Sequence, residues 1–121
     1  METIVPRKIS SVEVTLLNEA LVVAPVVSME ESIMAGIPQL QIVCRCACGC
    51  ASVGFVSEEE TKLLPIRRLA DAEGVTEKGE PVGFLVWGTP SRITGIEVYW
   101  SLEDGAPLPV VGSLRSFKAT G

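Results

Sequence analysis

Residues 81–101 read Pro81-Val82-Gly83-Phe84-Leu85-Val86-Trp87-Gly88-Thr89-Pro90-Ser91-Arg92-Ile93-Thr94-Gly95-Ile96-Glu97-Val98-Tyr99-Trp100-Ser101. The segment up to Trp87 is almost continuously apolar, as in a central strand buried on both faces. Gly88-Thr89-Pro90-Ser91 has the chemistry of a turn. From Ile93 the residues alternate. Thr94, Ile96, Val98 and Trp100 share one face, and Ile93, Gly95, Glu97 and Tyr99 the other. This predicts a β-hairpin, residues 82–87 beside 93–101, inside an antiparallel sheet.

Working outward, residues 66–75 read as another strand, joined to the hairpin by a Glu77-Lys78-Gly79-Glu80 turn. Residues 39–56 read as two strands with a tight connection near Ala47-Cys48-Gly49-Cys50, Gly49 being the turn residue. Ser28-Met29-Glu30-Glu31 matches a capping box opening a two-turn helix, with Gly36 as a left-handed terminus and Pro38 barring its continuation. Ser57 before Glu58, Glu59 and Glu60 starts a second short helix, limited by Pro65. Residues 9–24 suit either a helical face (Ile9, Val12, Leu16, Ala20, Val23) or a strand (Val12, Val14, Leu16), with helix favoured over the second half and ended before Pro25. Residues 1–8 read as a loose start, and 102–121, rich in Gly and Pro, as mostly extended coil over the sheet. The sum is one α+β domain spanning residues 1–121: a single antiparallel sheet of about four or five strands with one or two short helices.

The composition narrows function more by exclusion than by motif. The chain has 121 residues, enough for one domain with a real core. It contains no histidine, which removes the commonest general base and metal ligand. Its net charge is −5; between Ile9 and Leu114 fourteen acids face six bases, a net of −8. Within those limits only Arg67 and Arg68 are adjacent bases, so the basic face of a nucleic-acid binder is missing. No apolar run reaches the roughly 18–20 residues of a membrane helix. Glu13, Asn18 and Glu19 interrupt the apolar stretch that follows Arg7 and Lys8, so it makes a poor export signal. The expected compartment is the cytoplasm, where thiols stay reduced.

The chemistry-bearing feature is Cys44-Arg45-Cys46-Ala47-Cys48-Gly49-Cys50. Four thiols in seven residues are candidate ligands for zinc or copper(I). A straight strand would space alternate sulfurs by about 6.6–6.8 Å. Sulfurs sharing one zinc lie within roughly 4 Å of each other. A turn at residues 47–49 can therefore gather two or three thiols, but a strand cannot gather four. Against metal stand plain packing of small apolar side chains and redox or disulfide chemistry. Cysteine catalysis lacks a histidine partner, and Arg45 points away from its neighbours on a strand. No phosphate-binding glycine loop and no nucleophile–base constellation is present, so neither hydrolysis nor group transfer is expected.

Arg45-Cys46-Ala47-Cys48-Gly49-Cys50, Glu73-Gly74, Gly79-Glu80-Pro81-Val82-Gly83 and Ile96-Glu97-Val98 together give a pattern over about half of the chain. In these residues the chain resembles a loose group of small uncharacterised bacterial proteins. They carry an Arg-Cys-x-Cys-Gly-Cys run followed by a Pro-Val-Gly strand. The resemblance implies a bacterial origin and a small sheet domain, and brings no activity with it.

The acidity leads to the expectation of a non-enzymatic, protein-binding domain, most concretely an immunity-type inhibitor that captures a basic partner such as a toxin. A negative field speeds such capture. The expected contact surface combines Glu97 and Tyr99 with Glu103 and Asp104, and secondly Glu58, Glu59 and Glu60. No resident cofactor is expected on that reading. The alternative is a small metal-binding domain using Cys44, Cys46, Cys48 and Cys50 for zinc or copper.

Overall fold

The computed structural model describes residues 1–100 and 105–116. Its elements are strands β1 (Glu2–Lys8), β2 (Gln41–Arg45), β3 (Val53–Gly54), β4 (Arg67–Val75), β5 (Pro81–Thr89), β6 (Arg92–Tyr99) and β7 (Arg115–Ser116), and helices α1 (Ser11–Val23), α2 (Glu31–Gly36) and α3 (Glu58–Leu63). The strands form one sheet in the order β1-β2-β3-β6-β5-β4-β7, and every pairing is antiparallel. The class is α+β, with more strands than expected.

The predicted hairpin is present. β5 and β6 pair from Gly83↔Tyr99 to Thr89↔Arg92, and β4 lies on the other side of β5. Val82, Phe84 and Val86 of β5 face the core with Ala70, Ala72, Ile96 and Val98 of the flanking strands. Helix α1 covers this face with Leu16, Leu17, Ala20 and Leu21. Burying each large side chain of this kind contributes about 1.5–3 kcal/mol, so the α1–β4–β5–β6 sandwich is the main apolar store of the fold.

Helix α1 is helical throughout, which resolves residues 9–24 in favour of helix over their whole middle. Its start is fixed by a capping box. The Ser10 hydroxyl accepts from the Glu13 N–H at 3.1 Å, and the Glu13 carboxylate accepts from the Ser10 N–H at 2.8 Å. The same carboxylate receives both Arg7 guanidinium nitrogens, at 3.1 and 3.0 Å. Burial alone would raise the Glu13 pKa, but the Arg7 and Ser10 donors outweigh it and hold it below the ordinary value.

Three expectations need correction. Residues 1–8 are not loose: β1 pairs with β2 as an edge strand, with an irregularity between Thr3 and Arg7 that contains Pro6. An edge with a bulge is where a strand tolerates proline, because the missing N–H has no ladder partner to lose. Helix α2 is capped by Glu30 and not by Ser28, and no side chain caps it. The preceding chain is tied to β4 by Val26 N–H to the Leu69 carbonyl and Asp71 N–H to the Ala24 carbonyl, so the turn into the helix comes two residues later. Gly36 is right-handed, leading directly into a 3-10 turn that accepts Pro38. Among the described residues the tail is mostly coil, with Arg115 and Ser116 adding β7 to the edge of β4. Helix α3 does begin as expected, with the Ser57 hydroxyl accepting from the Glu60 N–H at 3.1 Å. Among the described residues no helix is long and apolar enough to cross a membrane.

Candidate functional site: a three-thiol turn

Strand β2 ends at Arg45, and the chain returns as the two-residue strand β3. The connecting residues 46–52 are stitched to their surroundings by backbone bonds. The Cys46 N–H donates to the Ser52 carbonyl at 3.1 Å, Gly49 N–H to the Cys46 carbonyl at 3.4 Å, and Ala51 N–H to the Ala106 carbonyl at 2.8 Å. Gly49 sits at φ +90°, a conformation that costs a side-chain-bearing residue about 1–2 kcal/mol. This tight reversal turns the side chains of Cys46, Cys48 and Cys50 toward one another.

The sulfurs of these three residues all lie within 4.8 Å of each other. The Cys46 and Cys48 sulfurs are 2.7 Å apart. The Cys50 N–H donates to the Cys48 sulfur at 3.4 Å. Cys48 is exposed, while Cys46 and Cys50 are half-buried. Donation to Cys48 pushes the Cys46 pKa up to about 11, and acceptance of that bond together with the Cys50 N–H lowers the Cys48 pKa. Of this pair, Cys48 is thus the more acidic thiol.

Cys50 is held differently. Its thiol donates to the Ser52 hydroxyl oxygen at 3.2 Å. Ser52 is buried; its hydroxyl donates to the Val98 carbonyl at 3.3 Å and accepts from the Val98 N–H at 2.8 Å. One serine side chain therefore extends the two-position β3–β6 pairing to the thiol turn. No signal in the sequence distinguishes Ser52 from any other loop serine.

Cys44 stands apart from the other three thiols. It is buried in β2, its thiol faces the Val56 carbonyl at 3.5 Å, and burial raises its pKa. The expected four-ligand set thus divides into one packing cysteine and three gathered ones, which is the two-or-three limit that strand spacing imposes.

The thiol turn forms part of the wall of an open groove of about 1010 Å³, whose other walls include Ile66, Trp87 and Glu97. Glu97 accepts from the Trp87 indole N–H at 3.0 Å. Tyr99, two residues along the same face, is 41% exposed and lies across Gly83, where any Cβ would collide with its ring. Burial and then the carboxylates of Asp71, Glu97 and Glu73 raise its pKa.

Of the remaining expected contact residues, Glu58, Glu59 and Glu60 lie together on helix α3. Glu60 of α3 accepts from Arg92 at 2.7 Å, and Glu58 from the chain's amino terminus at 3.4 Å. Glu59 is exposed on the same helix. Glu103 and Asp104 lie outside the described residues. Compared with known proteins, the chain matches no family model, no curated protein and no solved structure.

Proposed function

We propose that the protein binds one thiophilic closed-shell cation, copper(I) or zinc, through Cys46, Cys48 and Cys50. The observation that carries this reading is the gathering of three sulfurs within 4.8 Å on a solvent-open turn. The chain has no histidine, and among the described residues no carboxylate joins the three thiols; thiolate donors of this kind favour soft ions. Three thiolates complete a trigonal copper(I) site. The same three leave zinc one further position, for water or a ligand arriving from the groove. Metal–sulfur bonds of about 2.3 Å set sulfurs about 3.8–4 Å apart, so on binding the Cys46–Cys48 pair opens by about 1 Å. The exposed Cys48 is the entry ligand. When Cys50 ligates the ion, its bond to Ser52 reverses: the Ser52 hydroxyl turns from the Val98 carbonyl and donates to the Cys50 sulfur.

The test is a titration of the reduced protein with copper(I), and separately with zinc, followed by thiolate-to-metal absorption in the ultraviolet. Saturation at one ion per chain is expected, with Cys48→Ser weakening binding by more than about 100-fold and Cys44→Ser leaving it intact. Absence of saturable binding of either ion overturns the reading, as does equal loss in Cys44→Ser.

A second reading, an acidic domain that captures a basic protein partner in the manner of an immunity-type inhibitor, is favoured by the open face carrying Tyr99 and Glu97. A half-exposed tyrosine among carboxylates is a suitable anchor for a cationic surface. Its support would be a stable partner whose association slows with salt and with Glu97→Lys; association indifferent to both speaks against it.

A further inference from the structure

We propose that Cys46 and Cys48 form a reversible dithiol–disulfide pair that exchanges with small-molecule disulfides, Cys48 attacking and Cys46 resolving. The inference needs no metal and stands apart from the preceding reading. Its basis is geometric. In an extended strand the two residues would hold their sulfurs too far apart to bond, but the turn closed by Gly49 brings them to 2.7 Å. A disulfide bond is about 2.05 Å long, so the sulfurs must approach by less than 1 Å. The two partners are unequal in access: Cys48 is exposed and Cys46 half-buried beside it. An incoming disulfide therefore meets Cys48 first. The third thiol is held back, since Cys50 is engaged by Ser52, which is itself bonded to β6.

The steps balance without further reagents. The Cys48 thiolate attacks one sulfur of a disulfide RSSR, the S–S bond breaks, and one RS⁻ leaves and takes a proton from water. Cys46 loses its proton to solvent and attacks the Cys48 sulfur of the mixed disulfide, displacing the second RS⁻. The pair is oxidised by two electrons and RSSR is reduced to two thiols. Oxidation removes two of the three gathered donors, so bound cation and disulfide exclude each other.

The experiment uses the full chain, reduced and freed of metal with chelator, then exposed to oxidised glutathione and alkylated before mass spectrometry. The expected product has lost two hydrogens and carries alkyl groups on Cys44 and Cys50. Its peptide yields no fragments between residues 46 and 48. Cys46→Ser is expected to trap one glutathione on Cys48, and Cys48→Ser to suppress exchange at least tenfold. A disulfide that includes Cys50, a trapped adduct on any residue other than Cys48, or four unreacted thiols overturns the proposal. Because no metal is present, these outcomes are independent of the cation titration.

Discussion

The β4–β5–β6 meander and the 46–52 turn belong to the same sheet but are held by different forces. The meander is closed by long ladders, eight matched positions between β4 and β5 and seven between β5 and β6. Its core face is apolar and covered by α1. The turn is flanked by β3, which contributes two residues to the sheet and pairs at two positions on either side. Its position depends on a few hydrogen bonds made by Ser52, Ala51 and Cys46, and on three thiols that face one another. Stability resides in the first region and reactive groups in the second. Loops carried by rigid scaffolds commonly divide labour in this way.

This contrast can be broken from either side. Phe84→Ala removes the largest fully buried side chain, at the centre of β5. It should cost about 3–5 kcal/mol, read as a lower urea midpoint. Cation affinity of the molecules that remain folded should match the parent. Ser52→Ala acts in the opposite region. It leaves the buried Val98 N–H without its acceptor, at about 1–3 kcal/mol, and removes the hydroxyl that holds Cys50. Cation affinity should fall by about 10–100-fold, the usual effect of losing a group that orients a ligand. If Phe84→Ala weakens the cation site as much as Ser52→Ala does, the two regions are not separable.

Glu13→Gln sharpens the comparison through pH. The folded-state pKa of Glu13 is lowered, so its contribution is complete above the ordinary carboxylate value of about 4.3 and is lost as pH falls below it toward the folded value. Arg7 is half exposed, which discounts the pair to about 1–2 kcal/mol. Urea midpoints of parent and variant should differ near pH 7 and draw together as pH falls below the ordinary carboxylate value. A difference that stays undiminished over that fall would show that Glu13 acts only through packing and the helix cap.

The meander was legible because burial writes itself into sequence. The apolar run at residues 82–87 and the alternation at 93–98 each have one reading that satisfies both periodicity and turn chemistry. Helix α1 was only half legible. The Ser10-x-x-Glu13 signal was present, but a Val-rich segment fits strand and helix equally well, and the bond from Arg7 that stabilises Glu13 comes from a separate strand. Strands β1 and β7 were not legible, since edge strands carry polar and proline residues that resemble coil. At the thiol turn, spacing alone limited the gathered set to two or three thiols. Which three, and the role of Ser52, depend on a contact between residues 46 positions apart. The bond between Glu60 and Arg92 joins residues 32 positions apart and leaves no signal in the sequence.

The most direct test of the three-thiol site is native mass spectrometry of protein purified without chelator and reconstituted with copper(I) or zinc. The predicted result is one ion per chain for the parent and for Cys44→Ser, and none retained by Cys46→Ser, Cys48→Ser or Cys50→Ser. An ion that survives all three of those substitutions, or a parent chain that holds none under reducing conditions, would contradict it.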